Sequence, residues 1–98
     1  MILEHAELSV TPGREAEFEA AFRSADPIIS GSPGFRRLLL SRCLERENVF
    51  LLLVEWNSLE DHTEGFRRSP EYERWRDLLH HFYRPFPVVE HFTEVLRA

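Results

Sequence analysis

Apolar and polar positions divide the chain into strand-like and helix-like stretches. Ile2–Val10 reads as a strand, ended by the breaker Thr11-Pro12-Gly13. Phe18, Ala21, Phe22 and Ala25 then recur at i, i+3, i+4 and i+7, one apolar stripe of a helix facing a core. Thr11 is placed to cap that helix, with Pro12 at its first position, where the missing N–H costs nothing. Pro27 is expected to kink or end it, although Ile28 and Ile29 can extend the stripe. After the breaker Gly31-Ser32-Pro33-Gly34, Phe35–Cys43 and Val49–Trp56 read as two strands of a hairpin joined by the polar tip Leu44–Asn48. Ser58 begins a short helix, with Asp61 reaching back as in a capping box. Ser69-Pro70-Glu71 begins another, whose stripe is Tyr72, Trp75, Leu78, Leu79 and Phe82. Pro85 and Pro87 close it, and Val88–Leu96 reads as a last strand.

The order β-α-β-β-α-β predicts an α+β fold, a ferredoxin-like split βαβ sandwich with a four-stranded antiparallel sheet and its helices on one face. Residues 1–98 are expected to form one domain, a usual size for a single core. The strand Val49–Trp56 is apolar on both faces: Val49, Leu51 and Leu53 point one way, Phe50, Leu52, Val54 and Trp56 the other. Two helical regions cover one face only. The pattern therefore predicts a homodimer, with a second copy on the other face.

Composition narrows the function. All twelve basic residues are arginine, so lysine Schiff-base chemistry and the phosphate-loop lysine are excluded. The single Cys43 makes no intrachain disulfide, CxxC pair or thiolate zinc cage. A net charge of −5 with acids in both halves argues against nucleic acid. The longest apolar run, Val49–Val54, is too short for a membrane span, and Glu4, His5 and Glu7 stand where a signal peptide would be apolar. A cytoplasmic location is expected.

Five histidines are the candidate chemistry. His62 shares a helical stripe with Leu59 and Phe66, which places it inward as a base titrating near neutrality, or as a structural histidine bonded to a carbonyl. His5 and His91 each follow a glutamate (Glu4, Glu90) on the first and last strands, neighbours in this fold, so the two Glu-His pairs can approach each other. No HxxxH or HExxH spacing occurs, so no metal is expected. His80 and His81 lie near a helix C-terminus, whose dipole favours the cation. Glu55 is either paired with an arginine such as Arg37 or kept as a pocket acid. Tyr72 and Trp75 serve a core or line a pocket.

The run Val54-Glu55-Trp56-Asn57-Ser58-Leu59-Glu60-Asp61-His62 continues through Gly65-Phe66-Arg67, Ser69-Pro70, Tyr72 and Trp75 to a tail, Phe82-Tyr83-x-Pro85-Phe86-Pro87-x-Val89-x-His91-Phe92. With Pro12-Gly13-Arg14 and Pro33-Gly34-Phe35, it resembles the antibiotic biosynthesis monooxygenase family over essentially the whole chain. The resemblance implies a dimeric ferredoxin-like α/β barrel and, in some members, oxidation of phenols or hydroquinones by O₂ without a cofactor. It makes His62 the candidate base, and Phe66, Tyr72, Trp75, His5 and Glu55 the candidate substrate contacts. The haem-degrading branch resembles a different constellation: Gly65-Phe66 stands where that branch has a tryptophan, and the first strand has no asparagine. Three functions follow: a cofactor-independent monooxygenase of a small aromatic substrate, a lyase or isomerase on the same scaffold, or a dimeric small-molecule-binding domain without catalysis.

Overall fold

In the computed structural model, which describes residues 1–98, strand β1 (Ile2–Ser9) is central because both its edges are paired. One edge runs antiparallel to β3 (Val49–Trp56), from Ile2 opposite Trp56 to Ser9 opposite Val49. The other pairs with β4 (Glu90–Thr93), setting Glu4 opposite His91 and His5 opposite Glu90. Strand β2 (Phe35–Arg42) completes the hairpin with β3, so the sheet order is β2-β3-β1-β4. Helix α1 (Glu15–Ser30) and helix α2 (Pro70–Leu79) pack on one face. This is the expected α+β ferredoxin-like architecture.

Side chains alternate across the pleat, so each strand sends half its residues toward the helices. Glu4, Ala6 and Leu8 of β1 and Phe50, Leu52, Val54 and Trp56 of β3 are buried there. They meet Phe18, Phe22, Ala25, Ile28 and Ile29 of α1 and Trp75 and Leu79 of α2. Aromatic pairs tie the layers together: Phe18 lies 4.9 Å from Phe50, and Phe22 lies edge-on to Trp75 at 5.3 Å, measured between ring centroids.

Four local expectations are corrected. Thr11 does not cap α1: its hydroxyl donates to the Phe82 carbonyl (3.3 Å), its own carbonyl accepts from Arg14 N–H, and the helix starts at Glu15. Pro27 neither ends nor interrupts α1, which continues to Ser30 because Ile28 and Ile29 are buried. Burying two such side chains contributes about 3–6 kcal/mol, enough to offset the roughly 3 kcal/mol of an internal proline. The short helix after Ser58 is a π-helical segment, Asp61–Phe66, closed by the Arg67 N–H donating to the His62 carbonyl at 2.9 Å. Leu59 lies before that winding and is 40 % exposed, so it does not share the inward stripe. Finally, β4 is four residues long, and Val88, Val95 and Leu96 are exposed. Its partner edge on β1 spans only Ile2–His5.

Candidate active site

The π-helical segment is held at the sheet's end by short-range chemistry. Ser58 Oγ accepts from the Asp61 N–H (3.2 Å), as expected of the cap, but the Asp61 carboxylate accepts from the Ser58 hydroxyl (3.0 Å) and not from the backbone N–H of a capping box. Gly34 has φ +83° and lies against Asp61 so closely that a Cβ there would overlap the carboxyl. The segment thereby presents His62 and Phe66, both buried, toward β1 and β3.

His62 sits in a continuous polar chain inside an otherwise apolar layer. Its ring stacks on Trp56, with centroids 5.4 Å apart and an interplanar angle of 18°. Its Nε2 lies 3.3 Å from Glu4 Oε1, which also accepts a 2.9 Å hydrogen bond from Trp56 Nε1. Its Nδ1 is 2.7 Å from His91 Nε2. Glu4 and His62 are buried, whereas His91 is half-buried, so the chain Glu4–His62–His91 leads from the interior toward solvent. Burial pushes the Glu4 carboxyl up, opposed by the Trp56 hydrogen bond and the Arg67 charge. Contrary to the sequence expectation of a base titrating near neutrality, His62 is pushed down to about 3, first by burial and then by the charges of Arg67 and His91. His91 is lowered for the same leading reason, with Arg67 second.

With Oε1 accepting from Trp56, the arrangement that fits is His62 Nε2–H facing the carboxylate and Nδ1 carrying the lone pair, which accepts from His91. A carboxylate that fixes the tautomer of a neutral imidazole prepares it to take up a proton at the opposite nitrogen.

Beside this chain lies a cavity of about 40 Å³ between the helices and the sheet, lined by Phe66, Tyr72, Trp75, His80 and Tyr83 among others, with Glu4, His62 and Arg67 at its polar side. Phe66 meets Tyr72 and Trp75 edge-on at 5.5 and 5.8 Å, which makes these three rings one wall. His80 packs against Tyr72, Tyr83 and Phe86. Its helix-end position predicts a cation, yet burial and the Arg76 and Arg67 charges lower its pKa instead. Burial likewise raises the Tyr83 hydroxyl above the ordinary phenol range.

The structure therefore brings together His62, Phe66, Tyr72 and Trp75, and it separates His5 and Glu55 from them. Those two point to the opposite face of the sheet. Each neighbours an inward residue (Glu4, Trp56), and alternation sends it outward. His5 packs edge-on against Phe92, and Glu55 is paired with Arg37. Sequence spacing does not place Glu4, His91, Arg67, His80 or Tyr83 at the cavity. Glu4 and His91 sit in the two Glu-His dipeptides, but their convergence depends on the β1–β4 register.

The sequence profile of the antibiotic biosynthesis monooxygenase family matches residues 1–78. The chain belongs to that family. The uncharacterized protein YczJ of Bacillus subtilis (strain 168) is 58% identical over 95 residues, covering 97% of this chain and 100% of YczJ. A solved structure from Bordetella bronchiseptica, named for the same family, matches at TM-score 0.92 and 35% identity, covering 97% of each chain. SnoaB of Streptomyces nogalater, a cofactor-independent oxygenase, matches at TM-score 0.86 and 20% identity, over 98% of this chain and 94% of SnoaB, a likeness of fold. No helix of this family member is long and apolar enough to cross a membrane.

Proposed function

We propose that this member of the monooxygenase family oxidises a small phenol or hydroquinone with O₂, the substrate itself supplying the electrons, and that His62 is the base. The observation that carries the reading is the setting of the buried His62, with Glu4 at Nε2, His91 at Nδ1 and an aromatic wall beside it. That setting fits a neutral imidazole with its lone pair at Nδ1. In the ligand-free chain Nδ1 is taken by His91, so the substrate hydroxyl must replace His91 there. The phenolic proton passes to Nδ1, and the Glu4 carboxylate stabilises the imidazolium that forms. The phenolate gives one electron to O₂, the radical pair combines, and loss of water leaves the quinone. The other oxygen atom leaves in that water. Burial serves this step by keeping the imidazole unprotonated at rest and water away from the radical pair.

A cavity of about 40 Å³ holds one or a few small molecules such as water or O₂, and not an aromatic ring. Binding therefore requires the covering segment from Arg84 to Val89 to move. That segment carries no helix or strand, and Phe86, which lines the cavity, is 58 % exposed. The test is oxygen uptake with a panel of hydroquinones by wild type and His62→Ala. Uptake that falls by roughly 10²-fold or more in folded variant protein supports the base. Unchanged uptake leaves His62 structural, and none with any substrate favours a binding domain.

The same reading includes a homodimer. Leu3, Leu39, Leu51, Leu53 and Phe92 lie on the sheet face away from the helices, with Leu39 and Phe92 about half exposed. A second copy is the partner the apolar pattern calls for. Sedimentation equilibrium giving a single 11.6 kDa species at micromolar concentration would overturn it.

A further inference from the structure

Two charged residues line the cavity between helices and sheet, Glu4 and Arg67. Glu4 has Trp56 and His62 as partners. The Arg67 guanidinium has none: it makes no ion pair and no side-chain hydrogen bond, although the adjacent Arg68 is paired with Glu64 at 3.0 Å. Its backbone is fixed, since its N–H closes the π-helical turn on the His62 carbonyl. Arg67 is thus an exposed residue that lines a buried aromatic cavity with no direct partner for its guanidinium. The groups facing it are the three imidazoles of His62, His80 and His91 and the Glu4 carboxyl, and its charge disfavours the cationic form of each imidazole. At the polar side of the cavity Arg67 faces three imidazoles and one carboxyl, and that carboxyl is already engaged by Trp56 and His62.

We propose that Arg67 is a substrate anchor, so that the preferred ligand is a small phenol or hydroquinone carrying a carboxylate, with the anion on Arg67 at the rim and the ring against Phe66, Tyr72 and Trp75. This names a substrate class for the oxygenase reading and rests on it for the phenol. The anchor itself rests on the unpaired guanidinium. A planar guanidinium takes a carboxylate through two parallel hydrogen bonds, a fit that neither the neutral His80 nor the deeper Glu4 can offer. Such charge-assisted bonds are worth about 10- to 100-fold in affinity.

The experiment is equilibrium binding of 2,5-dihydroxybenzoate and its methyl ester, read by the fluorescence of Trp56 and Trp75. Wild type is expected to bind the acid about 10- to 100-fold more tightly than the ester. Arg67→Gln, at an exposed side chain, should lose that preference, and Arg67→Lys should recover part of it. Equal binding of acid and ester by wild type, failure of both to bind, or a preference that survives Arg67→Gln would overturn the anchor. Oxygen uptake is scored separately: an intact acid preference without oxygen consumption would sink the oxygenase reading and leave the anchor standing.

Discussion

The two faces of the sheet are built from the same strands, yet they carry opposite chemistry. On the helix side, Trp56 and Val54 are fully buried, and the polar residues Glu4 and His62 are admitted only as a connected chain. On the other side, one residue along each strand, His5 packs on Phe92 with its Nδ1 buried and unpartnered, and Glu55 is held by Arg37 among half-exposed leucines. A pleat with a period of two residues lets neighbouring positions serve two purposes, and a pair such as Glu4-His5 is split between them. The helix side is finished within one chain. The outer side carries an orphaned imidazole nitrogen and uncovered apolar residues.

The two faces differ most at Trp56. Trp56→Ala removes a fully buried ring together with the donor to Glu4, and should cost about 3–5 kcal/mol in urea unfolding. Leu53→Ala, on the outer face of the same strand, should cost clearly less in dilute protein. Equal costs would mean that the two faces are equally covered.

A second contrast concerns turnover and sets His62 against His5. If the helix-side cavity is the site, His62→Gln lowers oxygen uptake by roughly 10²-fold, about 2.7 kcal/mol, whereas His5→Gln leaves it within a few-fold. The reverse result would move the chemistry to the outer face.

How far this difference was legible depended on how local each signal is. Element order, the α1 stripe and the hairpin follow from patterns a few residues long, and they stand in the structure. The inward position of His62 also follows from local spacing, although Leu59 does not lie beside it because the turn winds as a π-helix. Glu4 and His91 meet only because β1 and β4 pair in one register, a contact between residues at opposite ends of the chain. A shift of one residue would have brought His5 inward instead. His5 and Glu55, expected among the substrate contacts, lie on the outer face for the same reason.

Acidification probes the helix side through its buried imidazole. The folded-state pKa of His62 lies at about 3, below its ordinary 6.5, so between those values the unfolded chain binds more protons. Stability contributed by neutral His62 is therefore present above 6.5 and is lost as pH falls toward 3, by up to about 1.4 kcal/mol per pH unit. Glu4, raised above 4.5, acts in the opposite sense as pH rises past that value. Subtracting the curve of His62→Gln, which keeps Glu4, isolates the histidine. Urea unfolding at a series of pH values should show wild type losing stability more steeply than the variant below 6.5, and parallel curves would mean that His62 titrates as if exposed.

The smallest effect lies at Glu55, and it sharpens the comparison because its size depends on whether the outer face is covered. In the single chain the Arg37 side chain is 65% exposed and that of Glu55 15%. Water reaches one partner freely, so Glu55→Gln should cost no more than about 1 kcal/mol. If a second copy packs on this face, both partners lose water. Removing one charge then strands the Arg37 guanidinium in a dry interface, at about 3–5 kcal/mol. Unfolding of Glu55→Gln should therefore be followed at two protein concentrations, one below and one above the association midpoint of wild type. A cost below 1 kcal/mol in dilute protein that grows on association would show that the outer face closes against a partner. A small cost at both concentrations would mean that Arg37 and Glu55 stay in water and that the apolar face beside them is left open.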